Sequence, residues 1–184
     1  MPSESDANDA TLDLVKRRSL LKLGITSTVT LALIGGGAAL LYEQSWRDGR
    51  LTESGRHVLA AIARAVLDGS LPTEAGPQAA ALASHLDRMD VALRALPPAT
   101  QRDIADLLAL LAMPPGRVAL AGLATEWQRA DVAQVQAALQ AMRRSRLSLR
   151  KVAYHALRDL THAAYFASSA TWPQLGYPGP AKIE

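Results

Sequence analysis

Cysteine is absent from this 184-residue chain, phenylalanine occurs once, and all aromatic residues together make up 4%. The missing cysteine excludes disulfides, iron–sulfur ligation, cysteine-attached haem, thiolate zinc sites and cysteine nucleophiles from this chain. Stability must come from packing alone. Charge of one sign is also scarce: the net charge is +3 with 20% charged residues. Nucleic-acid binders concentrate positive charge on one face, and so small an excess implies no nucleic-acid partner. Glycine-rich phosphate loops and Gly-x-Ser-x-Gly elbows are missing as well. What is abundant is alanine, with 35 residues, and hydrophobic residues at 49%. That composition favours helix and excludes a disordered chain.

The chain divides into two parts. Residues 1–46 read as a targeting segment and 47–184 as a helical domain, with a tail over 168–184. Residues 1–13 are polar and acidic, with the composition of a disordered stretch. Lys16-Arg17-Arg18-Ser19-Leu20-Leu21-Lys22 follows, and then Leu23–Tyr42 carries no charge for 20 residues. At about 1.5 Å per residue this run could span a bilayer. Four glycines and Thr26, Ser27, Thr28 and Thr30 dilute its apolarity. Paired arginines before a diluted apolar run resemble a twin-arginine (Tat) export signal. Arg17, Arg18, Leu20, Leu21 and Lys22 carry the match. Lys16 stands where Ser or Thr is common, and Leu20 where Phe is common. The resemblance implies export of a protein already folded in the cytoplasm, often with a cofactor held by it or by a partner. Gly36-Gly37-Ala38 and Gly37-Ala38-Ala39 are small-residue cleavage sites of modest quality. Processing there and retention as an anchor through residues 23–42 both stay open. In an anchor, Tyr42 and Trp46 would suit the outer interface.

The rest reads as an all-α single bundle of about six helices, with no alternating strand pattern. Thr52 is expected to cap a helix to about Asp68, with Val58, Leu59, Ile62, Ala65 and Val66 inward and Gly69 and Pro72 as the stop. A second helix starts near Pro77 and turns Leu82, Leu86, Met89 and Leu93 inward. A third starts at Thr100, with Asp103 as a box partner and Ile104, Leu107, Leu108 and Leu111 as its stripe. Pro114-Pro115-Gly116 breaks it, and a short helix runs from Arg117 to about Gln128. Asp131 and Gln134 form a capping box for a helix carrying Val132, Val135, Leu139 and Met142. The last helix, Ser148 to about Ala167, buries Leu149, Val152, Ala153, Ala156, Leu157, Leu160, Ala163 and Ala164.

Catalytic and metal-binding constellations are thin. His155 and His162 share roughly one side of the last helix, but no His-x-x-x-His or Glu-x-x-His pair accompanies them. The four histidines are expected at the surface or hydrogen-bonded near a polar boundary. Asp87 and Asp90 are expected to be solvated. Two features suit partners better. Arg143, Arg144, Arg146, Arg150 and Lys151 fall within nine residues with no acid between. They make a docking surface for an acidic protein or anionic lipid heads, or they offset a helix C-terminus near residue 145. Five of the eight aromatics are Tyr154, Tyr165, Phe166, Trp172 and Tyr177. The proline- and glycine-rich tail that follows excludes helix. Its aromatics either anchor a partner or cover the chain's own helices.

The export signal, the helical body and the ending Trp172-x-x-x-Gly176-Tyr177-Pro178-Gly179-Pro180 resemble the gluconate 2-dehydrogenase subunit 3 family. These are small subunits of membrane-associated flavin dehydrogenases. Tyr165-Phe166 stands where that family tends to have paired aromatics. The resemblance implies a non-catalytic chain without a cofactor of its own. Its partner would be a large GMC-type flavoprotein that holds FAD, with a cytochrome c subunit often taking the electrons. The small subunit supplies the Tat signal, meets the Tat translocase, helps the large subunit mature and brings it to the periplasm. The partner-binding residues would be Arg143, Arg144, Arg146, Arg150, Tyr165, Phe166, Trp172 and Tyr177. Readings of other classes are a free-standing periplasmic or membrane-anchored helical binding protein and a small enzyme using His155 or His162.

Overall fold

The computed structural model describes residues 44–179. The twin-arginine residues Arg17, Arg18, Leu20, Leu21 and Lys22, the uncharged run and Pro180 lie outside the described residues. The described part is an all-α bundle with one small hairpin, β1 (Trp46–Arg47) against β2 (Arg50–Leu51). The helices are α1 (Glu53–Val66), α2 (Ala75–Arg94), α3 (Pro98–Ala112), α4 (Pro114–Gly116), α5 (Val132–Arg143) and α6 (Ser148–Phe166). A π-helical turn, Arg117–Ala121, continues α4, and a 3-10 helix, Ser169–Leu175, follows α6.

The hairpin leaves no trace in the sequence pattern, because two-residue strands show no alternation. Trp46 pairs with Leu51 and packs, partly buried, against the core, so it is part of the helical domain. The hairpin sits on the first turn of α1. There Thr52 donates its backbone N–H to the Ser45 carbonyl at 3.1 Å. A β-carbon on Gly55 would collide with that carbonyl, so only glycine allows the approach. Thr52 does stand at the N-cap of α1, but its hydroxyl donates to the Gln44 carbonyl at 2.8 Å instead of capping the helix.

Helix α1 is the centre of the bundle and touches α2, α3, α5 and α6. Its small residues explain this. Ala61 and Ala63 are buried alongside Val58, Leu59, Ile62 and Ala65, so burial extends beyond the single expected stripe. Fully burying a side chain such as Leu59, Ile62, Leu108 or Leu111 stabilises the fold by about 2 kcal/mol each.

Several boundaries differ from expectation for identifiable reasons. Helix α3 starts at Pro98, two residues before Thr100, because proline suits a first turn that needs no N–H donor. Helix α2 starts two residues before Pro77 for the same reason. The Pro114-Pro115-Gly116 run breaks α3 and then begins the next helix, bent by 94° from α3. That helix stops at Gly122, and the chain to Asp131 is not helical. Trp127 pins this loop by donating its indole N–H to the Leu111 carbonyl at 2.7 Å. Arg117 is buried and donates to the Leu123 and Ala124 carbonyls. The capping box of α5 is as read: Asp131 Oδ1 accepts from the Gln134 N–H at 2.7 Å, and Gln134 Oε1 accepts from the Asp131 N–H at 3.1 Å.

On α6 the buried face runs through Ala153, Leu157, Thr161, Ala164 and Tyr165. Val152 and Ala163, expected inward, are exposed. At about 100° per residue they fall on the margin of a stripe that rotates toward Thr161 and Tyr165. Thr161 is tolerated inside because its hydroxyl donates to the Leu157 carbonyl at 2.8 Å.

Candidate partner-binding surfaces

Three surface features bring the singled-out residues together. The first is the tail. The 3-10 helix Ser169–Leu175 forms although Pro173 lies inside it, correcting the expectation that proline and glycine exclude helix here. Short 3-10 turns need few N–H donors, so one proline is accommodated. The Trp172 indole N–H donates to the Phe166 carbonyl at 3.0 Å, and Thr171 Oγ1 donates to the Ser168 carbonyl at 2.8 Å. Gly176 adopts φ +67°, a left-handed conformation that reverses the chain. Tyr177 then returns its N–H to the Trp172 carbonyl at 3.1 Å, and the two rings meet edge-on at 5.3 Å. Gly179 lies beside the six-membered ring of Trp172. Trp172, Gly176, Tyr177 and Gly179 thus form one interlocked unit. Trp172, Gly176 and Tyr177 line an open concavity of about 470 Å³ with Ser169, Pro173 and Pro178. Tyr177 is 46% exposed on this unit.

Tyr165, expected to face a partner, is taken up by the fold. It is 5% exposed, and its hydroxyl donates to the Ser70 carbonyl at 2.7 Å, with Gln174 Oε1 at 3.1 Å. This closes the α1–α2 loop onto the end of α6. Phe166 is half-buried beside it, ring centroids 5.2 Å apart.

The second feature is the corner between α5 and α6. Arg143, Arg144, Arg146 and Lys151 are exposed there. Arg150 differs: its Nε donates to the Leu120 carbonyl at 2.7 Å and holds the π-helical turn against α6. Two apolar residues at the start of α6 are exposed, Leu147 at 64% and Val152 at 51%. Sequence reasoning passed over Leu147 and placed Val152 inside. The available signal was that each neighbours a base.

The third is a groove of about 350 Å³ between α1, α5 and α6, where Tyr154, Arg158 and His162 meet Gln136. The Gln136 amide is already engaged by the Ala65 carbonyl and the Asp68 carboxylate. Burial, and then the Arg158 charge, push His162 below the ordinary imidazole pKa, while Asp159 opposes them. His155 is exposed beside Tyr154. Among the described residues no group of three His, Asp or Glu is placed to hold a metal ion.

His57 Nδ1 lies 2.8 Å from Gln128 Nε2, tying α1 to the α4–α5 loop. His85 is fully buried, contrary to the surface or hydrogen-bonded position expected of it. Asp90 is 7% exposed, not solvated: its Oδ1 accepts the Leu51 N–H at 2.8 Å and its Oδ2 meets Arg56 at 3.5 Å. Arg56 also reaches the exposed Asp87 at 3.0 Å.

Among the described residues no single helix is long and apolar enough to cross a membrane. No protein-family model, curated protein or solved structure matches the chain.

Proposed function

We propose that this chain is the non-catalytic small subunit of an exported, GMC-type flavin-dependent dehydrogenase. It carries the twin-arginine signal, binds the catalytic subunit in the cytoplasm, supports its maturation with FAD, and escorts it through the Tat translocase to the periplasm. The oxidation, its FAD and electron transfer to a cytochrome c belong to the partner chains. The observation that carries this reading is the tail. Trp172, Gly176, Tyr177 and Gly179, four residues of the family-like motif, each have a defined part in one folded unit. That unit leaves Tyr177 and an open aromatic concavity facing outward. Aromatic anchors in preformed surfaces are the usual high-energy residues of an interface.

The test is the double substitution Arg17→Lys with Arg18→Lys. Both this chain and the flavoprotein should then stay in the cytoplasm. Export of the flavoprotein despite that change would overturn the escort role. Affinity isolation of the native complex, with the flavin spectrum read directly, gives a second check.

The α1–α5–α6 groove favours a second reading, a free-standing periplasmic or membrane-anchored helical binding protein. A colourless monomer in the same isolation would support it.

A further inference from the structure

We propose that the α5–α6 corner is a prong for an anionic lipid surface, with Leu147 entering the headgroup layer and Arg143, Arg144, Arg146 and Lys151 binding lipid phosphates. The corner is open to solvent: every residue from Arg143 to Ser148 is exposed except the half-buried Ser145. Its shape is held from below. Ser145 donates its backbone N–H to the Met142 carbonyl at 3.2 Å, and its hydroxyl accepts the Leu147 N–H at 3.1 Å. Met142 and Ala153, on either side, are fully buried. The apex is therefore a fixed turn carrying a leucine that is 64% exposed.

The charge around it is of one sign. None of the four cations has an ion-pair partner among the described residues. Lys151 lies one helical turn beyond Leu147 and so on the same side of α6. Arg150 is set apart from them: it is half-buried and its Nε is held by the Leu120 carbonyl.

An exposed turn with a single leucine suits a plane better than a protein pocket. A protein interface needs a continuous buried patch on the order of 800 Å² per side. Two scattered apolar side chains do not supply it. At a bilayer surface the same pieces fit: leucine reaches the acyl boundary, and arginine and lysine lie along the apolar layer with their heads at the phosphates. The guanidinium fork matches phosphate oxygens, and each cation near an anionic surface strengthens binding about fivefold. The corner would hold this face of the domain at the membrane, a role separate from export and from the tail.

The absence of cysteine makes the test direct. Leu147→Cys in the full chain takes a single environment-sensitive NBD label, and Ala79→Cys on α2 is the control. Vesicles of phosphatidylcholine with phosphatidylglycerol should shift the emission of the label at 147 to the blue and raise it. Pure phosphatidylcholine should not, and the label at 79 should not respond. Adding Arg143→Gln, Arg144→Gln and Arg146→Gln should weaken the response about a hundredfold in vesicle concentration. The proposal is overturned if the label at 147 stays aqueous while the chain binds vesicles. It is equally overturned if position 79 responds as strongly, or if the shift ignores phosphatidylglycerol. A shift produced by the purified flavoprotein and not by vesicles would assign the corner to an acidic protein instead. The readout follows one position, so binding by residues 23–42 does not mimic it.

Discussion

The His85 ring stands edge-on to the Tyr165 ring, centroids 6.2 Å apart and planes at 63°, and neither imidazole nitrogen has a hydrogen-bond partner among the described residues. The contact joins α2 to α6 at the point where the Tyr165 hydroxyl closes the Ser70 turn. Arg88, on the same helix as His85, donates to the Ala164 carbonyl at 3.0 Å and adds a positive charge nearby. Burial first, and Arg88 second, lower the His85 pKa from 6.5 to about 4.

A pH dependence follows. The folded protein holds His85 neutral down to about pH 4, whereas the unfolded chain protonates it near 6.5. The unfolded state therefore binds more protons in that window, and stability falls as the pH drops from 6.5 toward 4. The loss from this group reaches up to about 3 kcal/mol. His85→Phe keeps the ring and removes the titration. Urea unfolding of the variant should show that much less loss of stability across the window. It should also be no less stable than the parent near neutral pH, because an unpartnered buried polar group is removed. An unchanged pH slope would mean that other groups carry the acid sensitivity.

Asp90 is the second buried polar anchor, and it joins the hairpin, α1 and α2 through the Leu51 N–H and Arg56. Asp90→Ala leaves the Leu51 N–H without its acceptor. It should cost about 2 kcal/mol in chemical unfolding. Asp90→Asn retains an acceptor oxygen and loses only the longer contact to the partly exposed Arg56. It should cost about 0.5–1 kcal/mol. Equal losses for the two variants would show that the charge matters and the acceptor does not.

Asp131 offers a cleaner local case, because both bonds of its box are formed. Asp131→Ala should destabilise the domain by about 1 kcal/mol, read as a lower urea midpoint with an unchanged slope. A loss below about 0.3 kcal/mol would mean that packing of α5 alone sets its start.

These residues show where sequence reasoning reaches and where it stops. The Asp131–Gln134 box is read correctly because it is local, with both partners three residues apart. The Leu86, Met89 and Leu93 stripe is read for the same reason. Chemistry alone puts Asp90 in solvent and His85 at the surface or in a hydrogen bond, although His85 continues the spacing of Leu82, Leu86 and Met89. Periodicity was the better guide, since Asp90 finds its partner 39 residues away in Leu51. Such a partner leaves no local trace. The role of Tyr165 was hidden likewise, its acceptor Ser70 lying 95 residues earlier. The basic cluster was visible as composition. Separating Arg150 from its neighbours required the Leu120 carbonyl, which only the fold supplies.

The tail permits a prediction that separates folding from binding. Truncation from residue 171 would remove Thr171 and Trp172, which bond to the end of α6, so it confounds the two. Single substitutions do not. Trp172→Ala removes the indole bond to the Phe166 carbonyl and the ring beside Gly179, and should destabilise the end of α6 by about 1–2 kcal/mol. Tyr177→Ala removes a ring that is 46% exposed and should lower thermal stability only slightly. If the tail anchors the flavoprotein, Tyr177→Ala should nonetheless weaken the complex at least tenfold, in line with an aromatic interface anchor. Titration of the purified subunits measures this directly. Affinity unchanged by Tyr177→Ala, beside a stability loss in Trp172→Ala, would make the tail a cover for its own helices.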